Sequence, residues 1–147
     1  MRDDDGTAIV EFVFVAVIVL VPLIYVIVAV ADTQRSQLAV AQAARDAGRA
    51  FATSDSETEA VHRMRVAIRL AMSNQDLPDD ADVRFVAASA PCTSDAIAPR
   101  LAPGAEFAVC VTRHVELPAV PTILDGHGVT TVGRYVVRID QYRTARP

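Results

Sequence analysis

Twenty consecutive residues, Phe12 to Ala31 (FVFVAVIVLVPLIYVIVAVA), carry no charge. At about 1.5 Å of rise per residue a helix of this length reaches about 30 Å, the thickness of a bilayer's hydrocarbon core. A cleaved signal peptide has an apolar region of only about 7 to 15 residues behind a basic segment. Here the run is longer, and the preceding MRDDDG holds one Arg against three Asp. The expectation is therefore a retained membrane-spanning helix. The rival is the core helix of a globular domain, but the chain from Asp32 to Pro147 is short for surrounding so apolar a rod.

The helical pattern continues past the span, because Leu38, Ala41, Ala44, Gly48 and Phe51 recur at three- and four-residue intervals in an Ala-rich stretch. One helix from about Thr7 to Ala52 is expected, with a kink at Pro22 inside the membrane. Ala44 and Gly48 have the small-xxx-small spacing that lets a partner helix approach closely. Thr53 to Thr58 interrupts the pattern, and Ser56 with Glu59 has capping-box spacing. A second helix is expected over 56–75, with Val61, Met64, Ala67 or Ile68, and Met72 facing the stem.

Pro78 and the acidic residues Asp79, Asp80 and Asp82 mark a loop, after which the period changes from helical to alternating. Val83, Phe85 and Ala87 form one strand face, Phe107, Val109 and Val111 another, and Tyr135, Val137 and Ile139 a third. The Pro- and Gly-rich segments Pro91 to Gly104 and Pro118 to Gly128 read as surface loops, and Thr144 to Pro147 as a frayed tail. The fold expected is α+β: a long N-terminal transmembrane helix continuing into a stem, a second short helix, then a small antiparallel sheet of about three strands. Its divisions are residues 1–6, a span at 7–31, and a domain at 32–147 comprising a stem (32–53), a helix (56–75), and strands with loops (82–143).

Charge narrows the function. The net charge is -4, and all 14 basic residues are Arg. Without Lys there is no GxxxxGK[ST] loop, and with acids and Arg interleaved there is no broad positive field for nucleic acid. His62, His114 and His127 stand apart, so no metal site is expected, and Asp79, Asp80 and Asp82 lack the Gly and distal Glu of a calcium loop. No nucleophile elbow occurs, and neither an enzyme, a cofactor nor a small-molecule substrate is expected. Asp125-Gly126 reads as a turn. Cys92 and Cys110 lack zinc spacing; the simplest expectation is one disulfide between them, the alternative being two buried thiols.

The most specific feature lies at the start. In Gly6-Thr7-Ala8-Ile9-Val10-Glu11-Phe12 a single carboxylate stands at the head of the apolar run, where an ionisable residue is costly and marks a functional position. This heptad resembles the processing site of type IV prepilins, and its Glu-Phe pair resembles the Flp/Tad branch. The Ala-rich AQAARDAGRAFA and the terminal GRYVVRIDQYR are similar to the stem and last strand of TadE-like proteins. The resemblance implies a prepilin peptidase cut after Gly6, a new amino terminus at Thr7, and Glu11 as the fifth mature residue, followed by Phe12. A carboxylate one turn from the freed amine can neutralise that of a neighbouring subunit, since paired charges are tolerated in low dielectric where lone ones are not.

On this resemblance the chain is a minor pilin or pseudopilin-like subunit of a Tad/Flp-type pilus. It would sit in the bacterial cytoplasmic membrane with its C-terminal domain extracytoplasmic, or be incorporated into a pilus. Its partners would be membrane lipid, prepilin peptidase and other pilin or Tad assembly subunits. The alternative is a signal-anchored envelope protein whose outer domain binds a ligand or partner and never polymerises. Arg35, Arg45 and Arg49, just beyond the span, oppose the outward orientation by the positive-inside rule. The cysteine pair and the processing motif favour it.

Overall fold

In the computed structural model, residues 5–116 and 128–142 are described, with side chains described from Val10 onward. Helix α1 runs unbroken from Asp5 to Ala52. Its Val- and Ala-rich sequence carries it through Pro22, which lacks the N–H that would bond the carbonyl four residues earlier. The chain then folds back on α2 (Glu57–Ser73) and enters three strands, β1 (Asp82–Ala87), β2 (Glu106–Val115) and β3 (Val129–Arg138). The architecture is α+β, as the change of period from helical to alternating requires.

Helix α2 begins where the capping residues stand. The Ser56 side chain accepts from the Glu59 N–H at 3.2 Å, and the Glu59 carboxylate accepts from the Asp55 N–H at 3.1 Å. The reciprocal bond therefore falls one residue before the cap and ties down the chain entering the helix. Ala60, Met64, Ile68, Ala71 and Met72 turn inward against the stem. Val61, expected on the same stripe, is only partly buried.

The sheet is antiparallel in the order β1-β2-β3, with Phe85 opposite Val109 and Val109 opposite Tyr135. One sheet face packs on α1, against which α2 also packs. There Phe107, Val109, Val111, Val137 and Ile139 join Val40, Ala43, Ala47 and Phe51 in a single core. Phe51, Phe85 and Phe107 meet at its distal end with ring centroids 5.2 to 5.8 Å apart, two of the three pairs edge-on. Such pairs contribute roughly 0.5–1.5 kcal/mol beyond their buried area.

Stem and sheet approach most closely along β3. A Cβ built on Gly133 would lie 1.9 Å from the Val40 carbonyl oxygen, and one on Gly48 would lie 2.5 Å from the Tyr135 ring. A Cβ at Gly133 would run into backbone, and one at Gly48 would force side chains to move. Beside them, Ser36 Oγ and Thr131 Oγ1 share a buried hydrogen bond of 2.6 Å, and Thr131 also donates to the Arg113 carbonyl. Gly48 is thus covered by the protein's own β3, and Ala44 is buried in the same core, so their small-xxx-small spacing is used inside the domain. Small residues here let a strand, not a second helix, come near.

The segment between β1 and β2 is a surface loop, with a few side chains packed against the sheet. Ala90 and Cys92 pack against Val86, Ala108 and Cys110 on the face of the sheet turned away from the helices, while Leu101 and Ala105 reach the main core. Ile97 N–H donates to the Phe85 carbonyl at 2.9 Å, so this strap also lines the outer edge of β1. The second loop expected at Pro118 to Gly128 lies outside the described residues except for Gly128, whose φ of 74° is one that glycine adopts without strain. The tail from Thr144 also lies outside them.

Candidate functional site

The functional residues expected from sequence fall in two places, the head of α1 and the strap. Residues Val10 to Val30 of α1 present their apolar side chains outward, with Phe12 73% and Phe14 65% exposed. None of the most apolar 18-residue window is buried inside the protein. A core helix would be covered by its own domain, so that rival is set aside. One helix long and apolar enough to cross a membrane extends from the small domain.

Gly6 and Thr7 lie in the first turn of α1, described by their backbone only. Residues four apart share a helix face, so Thr7 and Glu11 lie one above the other. Glu11 is exposed, and among the described residues no cation pairs with it. At the head of an apolar rod such a carboxylate remains in the headgroup zone or meets a cation from another chain.

The join between span and domain leaves no flexible linker. Ala31 ends the uncharged run, and five residues later Ser36 is already buried and bonded to Thr131. The domain is therefore held at a fixed height and azimuth on its anchor. Around this base the acidic turn is paired: Asp79 Oδ2 accepts from Arg69 Nε at 2.9 Å, and Asp80 Oδ1 from Arg113 Nε at 2.7 Å. Arg113 is the more enclosed of these, its side chain 11% exposed. Asp79 and Asp80 tie the turn to α2 and to β2 while remaining half exposed.

Cys92 and Cys110 form a disulfide with a Cα separation of 5.7 Å. It fastens the strap to the middle of β2, and Arg134 holds the strap's first turn from the other side by donating to the Ala88 carbonyl. Sequence reasoning missed Ser36, Thr131 and Gly133, which set the stem against the sheet. A glycine within an alternating strand was the available signal, since it often marks close approach of another backbone. His62 and His114 are apart in the fold, and His127 lies outside the described residues. Among the described residues no group of His, Cys, Asp and Glu is arranged to hold a metal ion.

The fold and the bare apolar helix define a small α+β domain carried on a single helix able to cross a membrane. No protein family, no curated protein and no solved structure matches the chain.

Proposed function

We propose that the chain is a minor pilin or pseudopilin-like subunit that takes part in assembly of a Tad/Flp-type pilus after a prepilin peptidase removes residues 1–6. The observation that carries this reading is the division of one 48-residue helix: a bare apolar half headed by Glu11, and a half packed into a domain of its own. Bare halves laid side by side would bury apolar surface against lipid and against each other. Glu11 of one subunit would meet the Thr7 amine of the next, and rigid stems would display the domains outside. The Cys92–Cys110 disulfide supports an extracytoplasmic domain, because such bonds persist in oxidising compartments.

The test is the amino terminus of the membrane-extracted protein, read by mass spectrometry with and without a co-expressed prepilin peptidase. A Thr7 start that depends on the peptidase and is lost in Gly6→Trp supports the reading. An intact start despite active peptidase overturns it, leaving a signal-anchored envelope protein with an outer binding domain.

A further inference from the structure

The fixed seat of the domain on its anchor brings one cavity to the level of the bilayer surface. Ala31 ends the uncharged run, and Ser36, five residues on and about 7.5 Å higher, is bonded to Thr131. β3 runs away from the membrane, because Ser36 meets Thr131, Val40 meets Gly133, and Gly48 meets Tyr135 and Val137 in that order. β2 is antiparallel to β3 and so descends, with Arg113 opposite Thr131 and Val115 about 7 Å nearer the membrane. Between this end of β2, the start of the stem and the turn before β1 lies a cavity of about 560 Å³, lined by Asp32, Leu77, Asp80 and residues 113–116. It occupies the layer from Asp32 to Ser36, which coincides with the roughly 5–7 Å that headgroups add to each side of the hydrocarbon.

Charge in this cavity is lopsided. Three carboxylates, Asp32, Asp80 and Glu116, share it with one guanidinium, Arg113, whose Nε donates to Asp80 at 2.7 Å. Among the described residues neither Asp32 nor Glu116 has an ion-pair partner, and Arg35, three residues from Asp32, is exposed and not paired with it. The rest of the chain does not supply the missing cation. Residues 117–127, which join Glu116 to Gly128, contain neither Lys nor Arg. Arg143 and Arg146 follow Tyr142 beyond the far end of β3, about 30 Å from its start, and the residues after Tyr142 reach at most about 17 Å. Arg2 precedes the span and is separated from the domain by the thickness of the bilayer.

We infer that this cavity binds the primary ammonium of a phospholipid headgroup from the adjoining leaflet, with Asp32 and Glu116 accepting its N–H bonds. The headgroup layer meets the cavity without any movement of the domain, and such an ammonium brings three donors to carboxylates that have no other cation. A quaternary ammonium fits less well: it donates no hydrogen bond, and the described lining holds no aromatic ring of the kind that attracts such groups. An anionic headgroup without an amine fits worst, since the one guanidinium is committed to Asp80 and the free carboxylates repel phosphate. The inference rests on the span crossing a bilayer, and not on cleavage at Gly6.

The test is native mass spectrometry of the full chain released from lipid nanodiscs made of equal parts ethanolamine, choline and glycerol phospholipids with identical acyl chains. The bare span carries lipid of every kind, so the readout is the headgroup ratio among the lipids retained. Ethanolamine lipid should be enriched about fivefold over choline lipid, the discrimination given by one exposed charge-assisted contact, and further over glycerol lipid. Asp32→Asn combined with Glu116→Gln should return the ratio to that of the nanodisc. Retention of the three headgroups in bulk proportion, an ethanolamine preference that survives the double variant, or a dimer that forms in place of lipid retention overturns the inference. If the double variant does not fold, the ratio for the unsubstituted chain decides alone. The same spectra report by intact mass whether the chain starts at Thr7, so failure of the pilin reading is scored separately.

Discussion

Replacing Gly133 by Ala tests whether close contact of backbone with backbone sets the stem on the sheet. The added Cβ would lie 1.9 Å from the Val40 oxygen, 2.3 Å from its carbonyl carbon and 2.7 Å from the Ala41 nitrogen. All three are main-chain atoms, so no rotamer change relieves the overlap, and helix and strand must separate by roughly 1.5 Å to restore ordinary contact. Overpacking costs typically about 1–3 kcal/mol, and a clash with backbone belongs at the upper end, about 3 kcal/mol. Gly48→Ala is the comparison. Its new methyl meets the Tyr135 and Val137 side chains, which can yield, and Ala gains about 1 kcal/mol of helix propensity, so the net loss should be about 0–2 kcal/mol. Urea unfolding of the full chain in detergent, followed by near-UV circular dichroism, to which the packed Tyr135 and the disulfide contribute, reads the difference. With a slope near 2 kcal/mol/M, Gly133→Ala should lower the midpoint by about 1.5 M. Val40→Ala should not rescue it, because the obstacle is the carbonyl and not the side chain. A Gly133→Ala protein within about 0.5 kcal/mol of the parent, or less affected than Gly48→Ala, would refute the reasoning.

Three further outcomes are expected. Reducing the Cys92–Cys110 bond, which spans a sequence separation of 18, should cost about 3 kcal/mol by loop entropy, read as a lower urea midpoint with reductant and none in a Cys92→Ser/Cys110→Ser double variant. Thr131→Val should cost about 1–3 kcal/mol because it strands the buried Ser36 hydroxyl, while Ser36→Ala should cost less because Thr131 keeps the Arg113 carbonyl; adding Ser36→Ala to Thr131→Val should recover part of the loss in the same unfolding assay. Glu11→Leu should leave membrane insertion intact in carbonate extraction yet abolish incorporation into pili; assembly at the parental level would remove Glu11 from the assembly role.

What was legible in the sequence is local in origin. An uncharged run of bilayer length specifies a span without reference to the rest of the chain, and Ser56 with Glu59 starts α2 because a cap bonds backbone donors within its own turn. Alternation at Phe107, Val109 and Val111 announced β2 for the same reason, since a strand's period is a property of the strand. The resemblance at Gly6 and Glu11 likewise concerns neighbouring residues only, and the fold adds that both lie at the head of α1.

Tertiary structure decided what depends on residues far apart in sequence. Ala44 and Gly48 satisfy a helix-helix spacing and a helix-strand contact equally well, and only the arrival of Tyr135 and Val137 distinguished them. The strap is a surface loop, as its Pro and Gly content indicates, and only the fold shows that Cys92 reaches Cys110 across the back of the sheet. Both sheet edges have similar composition, yet one is lined by the strap and the other is open among the described residues. Composition and period describe which surfaces a segment can bury, whereas the partner that buries them is chosen by the summed contact energy of the whole chain.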